Sequence, residues 1–350
     1  MTAPVPSTGL PSTENDRPPA PTAAADSGSA SVHRRRVSGS DLLRRWAVVL
    51  LWLAMAAAFS LASPDLFLTK GTLDVIFGAN GHLIFLCVAV LCPFCVGEFD
   101  FSAAGVMGVS GVTVSVLYSE HHWSIATAVA LALLLGVLAG ALNGFIVVVL
   151  GVDPIITTLG MATALQGVAL WISNLRTVSG LPVSFGNIVT HHLFGLPLFF
   201  WYGVIVTAIF AYVLHVTPLG RHMAFVGANR EVARLAGIRV SRVRFGAFAL
   251  SGTISGLAGV LLAANIGGFD PTSSAAQLLP ALAATFLGTA VLFPGRFNPI
   301  GTWIAVFFLE TGIIGLQLLG LTGWISDVFF GGSLVVAVTI STLLRRRTRA

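Results

Sequence analysis

Ser124 to Leu150 reads SIATAVALALLLGVLAGALNGFIVVVL and contains no Asp, Glu, Lys or Arg. A bilayer's hydrocarbon core is about 30 Å thick and takes about 20 apolar residues of helix, so this stretch is long and apolar enough to cross one. The same ruler, moved outward, gives spans near 46–63, 73–97 and 102–118 on one side. On the other side it gives 155–175, 193–216, 244–266, 277–293, 298–319 and 323–343. Composition agrees. Hydrophobic residues make up 55% of the 350 and charged residues only 9%, with a mean hydropathy of +0.90. Soluble domains carry about 25% charged residues, so this chain has too few to cover a water-facing surface. The expected fold is all-α, a polytopic membrane protein of about ten transmembrane helices, with lipid as its solvent.

The arginines set an orientation. Arg34, Arg35, Arg36, Arg44 and Arg45 precede the first span, and Arg221, Arg230, Arg234, Arg239, Arg242 and Arg244 lie between spans 6 and 7. Arg345, Arg346, Arg347 and Arg349 follow the last. Short cytosolic loops carry the excess of Lys and Arg, and an even number of crossings puts all three clusters, and both termini, in the cytosol. The basic pI then reports membrane orientation, and no nucleic-acid partner is expected. Residues 1–40, rich in Pro, Ser and Thr without an apolar run, read as a disordered cytosolic tail. No charged n-region leads straight into an apolar stretch with a small-residue cleavage site, so the first helix is expected to be retained. Residues 41–345 form the membrane domain, with a cytosolic loop at 217–243, and 346–350 a basic cytosolic tail.

Several chemistries find no support. The single lysine, Lys70, is not part of a G-x-x-x-x-G-K-[ST] loop, and no H-E-x-x-H helix or G-x-S-x-G elbow suggests a hydrolase. Cys92-Pro93-Phe94-Cys95 has dithiol spacing, but free cysteines in an apolar span behave as small buried hydrophobes. No metal site is expected. His121, His122, His191 and His192 read as solvated residues of outer loops.

Acidic residues within a bilayer are costly and mark functional candidates. Glu98 and Asp100 lie in Gly97-Glu98-Phe99-Asp100-Phe101-Ser102-Ala103-Ala104-Gly105, and Glu310 lies in span 9. Pro93 and Gly97 can break the preceding helix and Ser102 can cap the next, which suggests a discontinuous helix buried in protein or lining a wet cavity. On the cytosolic loop, Asn229 reads as the N-cap of a short helix, Glu231 suits its positive end and Gly237 its left-handed stop. Val232, Leu235 and Ala236 on one side make that helix look built to dock. The halves also echo each other, pointing to an internal repeat. Phe99-Asp100 with Ser102 returns as Phe269-Asp270 with Ser274, and Asp153-Pro154-Ile155 as Asn298-Pro299-Ile300. Asp153 and Asn298 stand where N-caps belong, each before a proline at the favoured first helical position.

Three stretches resemble the permease subunits of ribose-type sugar ABC importers, within the superfamily that includes branched-chain amino acid permeases. Glu98-Phe99-Asp100-Phe101-Ser102 to Gly105 is similar to that family's G-x-D-L-S-x-G. Leu142-Asn143-Gly144 and Asp153-Pro154-Ile155-Ile156-Thr157-Thr158-Leu159-Gly160 resemble its L-N-G and P-x-I-x-T-L-G segments. Thr217-Pro218-Leu219-Gly220-Arg221, through Gly227, Asn229, Ala233 and Ala236-Gly237-Ile238 to Ser251-Gly252, resembles its T-x-x-G-R to L-S-G signature. Departures are Glu98 for a usual glycine, Phe101 for leucine, Phe293-Pro294-Gly295-Arg296-Phe297-Asn298-Pro299 for a glycine-rich run, and Glu310 for a small or neutral residue.

The resemblance implies a non-enzymatic permease in a bacterial cytoplasmic (inner) membrane, importing a sugar, most simply a monosaccharide. Its implied partners are a cytosolic ABC ATPase subunit, an extracytoplasmic solute-binding protein and a second permease chain, identical or related. No cofactor is expected in this chain, because the partner subunit binds the ATP. Asn229, Arg230, Glu231, Ala233, Arg234, Ala236 and Gly237 become the helix that couples to the ATPase. Candidates for the translocation pathway are Glu98, Asp100, Ser102, Asn143, Thr157, Thr158, Asp270, Glu310 and Gln317. An amino acid importer permease and an ion-coupled carrier using Asp100 and Glu310 are the alternatives.

Overall fold

A computed structural model describes residues 39–349 apart from Pro294 and Thr322. The expected tail, up to residue 38, lies outside the described residues, and residues 39 and 40 are already helical. Helix α1 (Gly39–Ala62) leads through α2 (Pro64–Phe67) and α3 (Lys70–Asp74) into a π-helical turn, Val75–Ala79, and on to α4 (Gly81–Cys95). Next come α5 (Ala103–Ser119), α6 (Ile125–Gly144) with its own π-helical turn Phe145–Val149, and α7 (Pro154–Ile172). Strand β1 (Val178–Ser179), α8 (Val183–Thr190) and the pair β2 (His192–Leu193) and β3 (Leu196–Pro197) precede α9 (Leu198–Val216). The expected cytosolic loop holds α10 (Pro218–Ala228) and α11 (Arg230–Leu235). The chain ends with α12 (Val240–Ile266), β4 (Gly268–Phe269), a 3-10 turn Ala275–Gln277, α13 (Leu278–Gly288), α14 (Pro299–Leu318) and α15 (Trp324–Arg349).

Among the described residues, six helical segments are long and apolar enough to cross a membrane: Lys70–Cys95, Ile125–Val149, Pro154–Ile172, Leu198–Val216, Val240–Ile266 and Pro299–Leu318. Four shorter apolar helices, Trp46–Ala62, Ala103–Ser119, Ala275–Gly288 and Trp324–Thr339, accompany them. The chain is therefore a mostly helical, multi-pass membrane protein.

Two expected spans are shorter than the sequence suggested. The one at 277–293 is helical only to Gly288, because the Asn298 side chain donates to the carbonyls of Gly288 and Val291 and Leu292 takes φ 58°, folding the chain back. The one at 193–216 loses its first residues to a hairpin that turns through Phe194 (φ 54°) and Gly195 (φ 82°). Helix starts follow local chemistry. Asp153 accepts from the amides of Ile155 and Ile156, Asn298 from Gly301 and Thr217 from Gly220, each just ahead of a proline at the first helical position.

Helix α12 is the hub. It packs on α4, α5 and α6, and its apolar window is 78% buried against 17% for α7. The α6 contact is backbone on backbone. A Cβ on Gly140 would run into Phe248 O and Gly252 Cα, and one on Gly252 into Gly136 O. Small residues at such crossings let membrane helices approach closely where apolar burial gives no advantage over lipid. At the far end of α5, β1 pairs antiparallel with β4, Val178 opposite Phe269 and Ser179 opposite Gly268. The amides of Gly180 and Leu181 both donate to Gly267 O.

Candidate functional site: the elbow between α4 and α5

The last turn of α4 contains Pro93. Its carbonyl accepts from both Val96 N and Glu98 N, while Gly97 N donates to Phe94 O. Gly97 then takes φ 75°, a left-handed stop that favours glycine. Residues 98–102 leave the helix inside the protein, where irregular backbone is tolerated only with its polar groups satisfied.

Asp100 organises the turn into α5. Its Oδ1 accepts from Ser102 N at 2.9 Å and from Ser102 Oγ at 2.6 Å, and its Oδ2 accepts from Ser251 Oγ of α12 at 2.7 Å. Asn143 of α6 donates through Nδ2 to Ser102 Oγ at 2.7 Å. All four side chains are buried. Ser102 therefore does not cap α5 as expected. It makes no side-chain cap bond, because its hydroxyl is occupied by Asp100 as acceptor and Asn143 as donor. The cluster ties the elbow to α6 and α12.

Glu98, one residue past the stop, is enclosed as well. Its Oε1 accepts from Arg230 Nη2 at 2.7 Å and from Arg244 Nε at 2.5 Å, while the same Arg230 nitrogen reaches Gly97 O at 3.2 Å. The Glu98 side chain is 0% exposed, Arg244 16% and Arg230 47%. Stripping a buried carboxylate of its partner costs about 3–5 kcal/mol, whereas a pair reached by water is worth about 1 kcal/mol or less. Arg244 is thus the firm partner and Arg230 the yielding one. Sequence reasoning did not find this triad. The available signal was a membrane-buried acid with no obvious counter-ion, in a chain whose 221–244 stretch holds six arginines.

Arg230 begins α11. Asn229 Oδ1 accepts from Glu231 N and Val232 N, and Gly237 takes φ 79°, so cap and stop stand where the sequence places them. Glu231 and Arg234 pair at 2.7 Å in solvent, Val232 and Leu235 are exposed, and Ala233 is buried beneath them; Ala236 is exposed too. Beside the elbow a cavity of about 900 Å³ is lined by Phe94, Glu98, Phe99, Phe286, Arg296 and Phe297 among others.

The other candidates lie apart. Thr157 and Thr158 donate to Asp153 O and Pro154 O in their own helix. Asp270 accepts from Thr272 N and Thr272 Oγ1, bonds that hold its carboxyl below the usual carboxylate range. It repeats the Asp100–Ser102 turn with Thr272 in the hydrogen-bonding place of Ser102, while Ser274 stands ahead of Ala275 as Ser102 stands ahead of Ala103. Ser274 instead donates to Gln166 of α7, which donates on to Pro271 O. Glu310 is buried and accepts from Asn80, just past the first π-helical turn, where Asn265 also donates to Ala79 O. Gln317, near the end of α14, is exposed and donates to Ser326 Oγ at 3.3 Å. Cys87, Cys92 and Cys95 are free, and no group of three His, Cys, Asp or Glu among the described residues is placed to hold a metal ion.

Residues 77–338 match the family described as "Branched-chain amino acid transport system / permease component". The chain is 28% identical to the L-arabinose ABC transporter permease protein AraH of Azospirillum brasilense, over 94% of this chain and 97% of that one. It is 30% identical to the autoinducer 2 import system permease protein LsrC of Escherichia coli (strain SMS-3-5 / SECEC), over 78% and 80%. It is 28% identical to the autoinducer 2 import system permease protein LsrD of Yersinia pseudotuberculosis, over 69% and 74%. No solved structure matches.

Proposed function

We propose, for a chain that belongs to the branched-chain amino acid transport system / permease component family and is a permease subunit of an ABC importer, that its cargo is a sugar. The observation that carries this is the relationship to an arabinose permease along nearly the whole chain. In this reading ten helices cross a bacterial cytoplasmic membrane, both termini and the 217–243 loop are cytosolic, and α11 seats in a groove of the ATPase subunit that hydrolyses ATP. A solute-binding protein delivers the cargo from outside, and a second permease chain completes the pathway. Exposed Val232 and Leu235 beside the solvent-facing Glu231–Arg234 pair support α11 as the docking element. Asp100, Ser102 and Asn143 are closed on one another here, so they meet cargo only in another state of the transport cycle. Thr157, Thr158, Asp270, Glu310 and Gln317 complete the proposed pathway contacts.

The test is purification of the tagged chain from its host in mild detergent, with mass spectrometry of what accompanies it. A P-loop ATPase and a sugar-binding-protein homologue are expected. Their absence after crosslinking, together with uptake that persists without ATP, would replace the importer with an ion-coupled carrier.

A further inference from the structure

We infer that Glu98 is a clasp through which movement of α11 reaches the elbow ahead of α5. Expected from sequence among the pathway residues, it is here a positioning residue for the transport cycle, because its carboxylate is taken up by Arg230 and Arg244, and the inference rests on the importer reading. Four observations carry it. Arg230, the first residue of α11, holds both the Glu98 carboxylate and Gly97 O, so the docking helix grips the residue that sets the elbow. Gly227, at the end of α10, packs against Cys95 O so closely that a Cβ has no room, and the α10–α11 junction therefore rides on the end of α4. From the elbow, Asp100 and Ser102 continue the path to α6 and α12. Finally, both arginines sit on Oε1, while Oε2 is buried and takes no partner among the described residues.

That last feature suits a moving joint. A static guanidinium–carboxylate pair gains most when both oxygens are used. Here Oε2 offers the half-exposed Arg230 a second seat, so α11 can shift while Arg244 keeps the charge compensated.

The experiment uses the assembled complex of permease, ATPase and binding protein in proteoliposomes. It measures ATP hydrolysis with and without the binding protein, purified from the host with its native cargo, at equal amounts of complex. Glu98→Gln and Arg230→Gln are each expected to cut the ratio of stimulated to basal hydrolysis about fivefold or more, the size of an ordinary coupling between sites. The double variant should lose no more than the worse single one, because both act through one contact. A merely structural role would lower the amount of complex and leave the stimulation ratio unchanged. Full stimulation in Glu98→Gln, or additive losses in the double variant, overturns the clasp. If Glu98→Gln does not assemble, Arg230→Gln decides alone, and full stimulation there overturns it. Absence of stimulation in the parent complex overturns the importer reading instead.

Discussion

Asp100 shows how one side chain can hold a break in a membrane helix together. Three donors converge on its two oxygens, and each is buried with it. An amide in its place must turn an N–H toward one of those donors. A serine hydroxyl can rotate to accept it, so part of the loss is recovered. Asp100→Asn is expected to destabilise the protein by about 1–3 kcal/mol, read as a lower unfolding temperature in detergent. Asp100→Leu, which strands all three donors, should be worse, and a leucine variant as stable as the parent would contradict that role. Asp153, Asn229 and Asn298 were legible as caps because their partners lie within three residues. The Glu98–Arg244 pair was not, because nothing local marks which arginine of a distant loop arrives there.

The α6–α12 crossing depends on glycines that leave no space between backbones. Gly252→Leu must push α6 away or distort α12, and overpacking of this kind costs about 1–3 kcal/mol or more. A reduced yield of monodisperse protein in size-exclusion chromatography is expected, and an unchanged yield and melting temperature would refute the close contact. Among the described residues, the six helices long and apolar enough to cross a membrane were legible because bilayer thickness fixes how long an apolar helix must be. The early end of α13 and the hairpin before α9 were not, since side-chain bonds and positive-φ residues override apolar composition there. Helix α10 was missed for a related reason: its buried face, Gly220, Met223 and Val226, is recognisable only once α9 and α4 are in place against it.

Taken whole, the bundle has two distinguishable ends. The α10–α11 region carries arginines at one end of the bundle, while His121 and His122 are exposed beyond the other end of α5. A membrane-impermeant maleimide should therefore label a His122→Cys variant in intact cells and an Arg242→Cys variant only after permeabilisation; the reverse pattern would invert the proposed orientation. The small β1–β4 pairing has a consequence for how such a chain is made. Synthesis runs from the N-terminus, and domains generally fold in that order. When Val178 leaves the ribosome its partner Phe269 has not yet been translated, so the helices before it must enter the bilayer with this seam open. The seam closes only when α12 has been threaded, which makes the joining of the two strands a late mark of completed biogenesis.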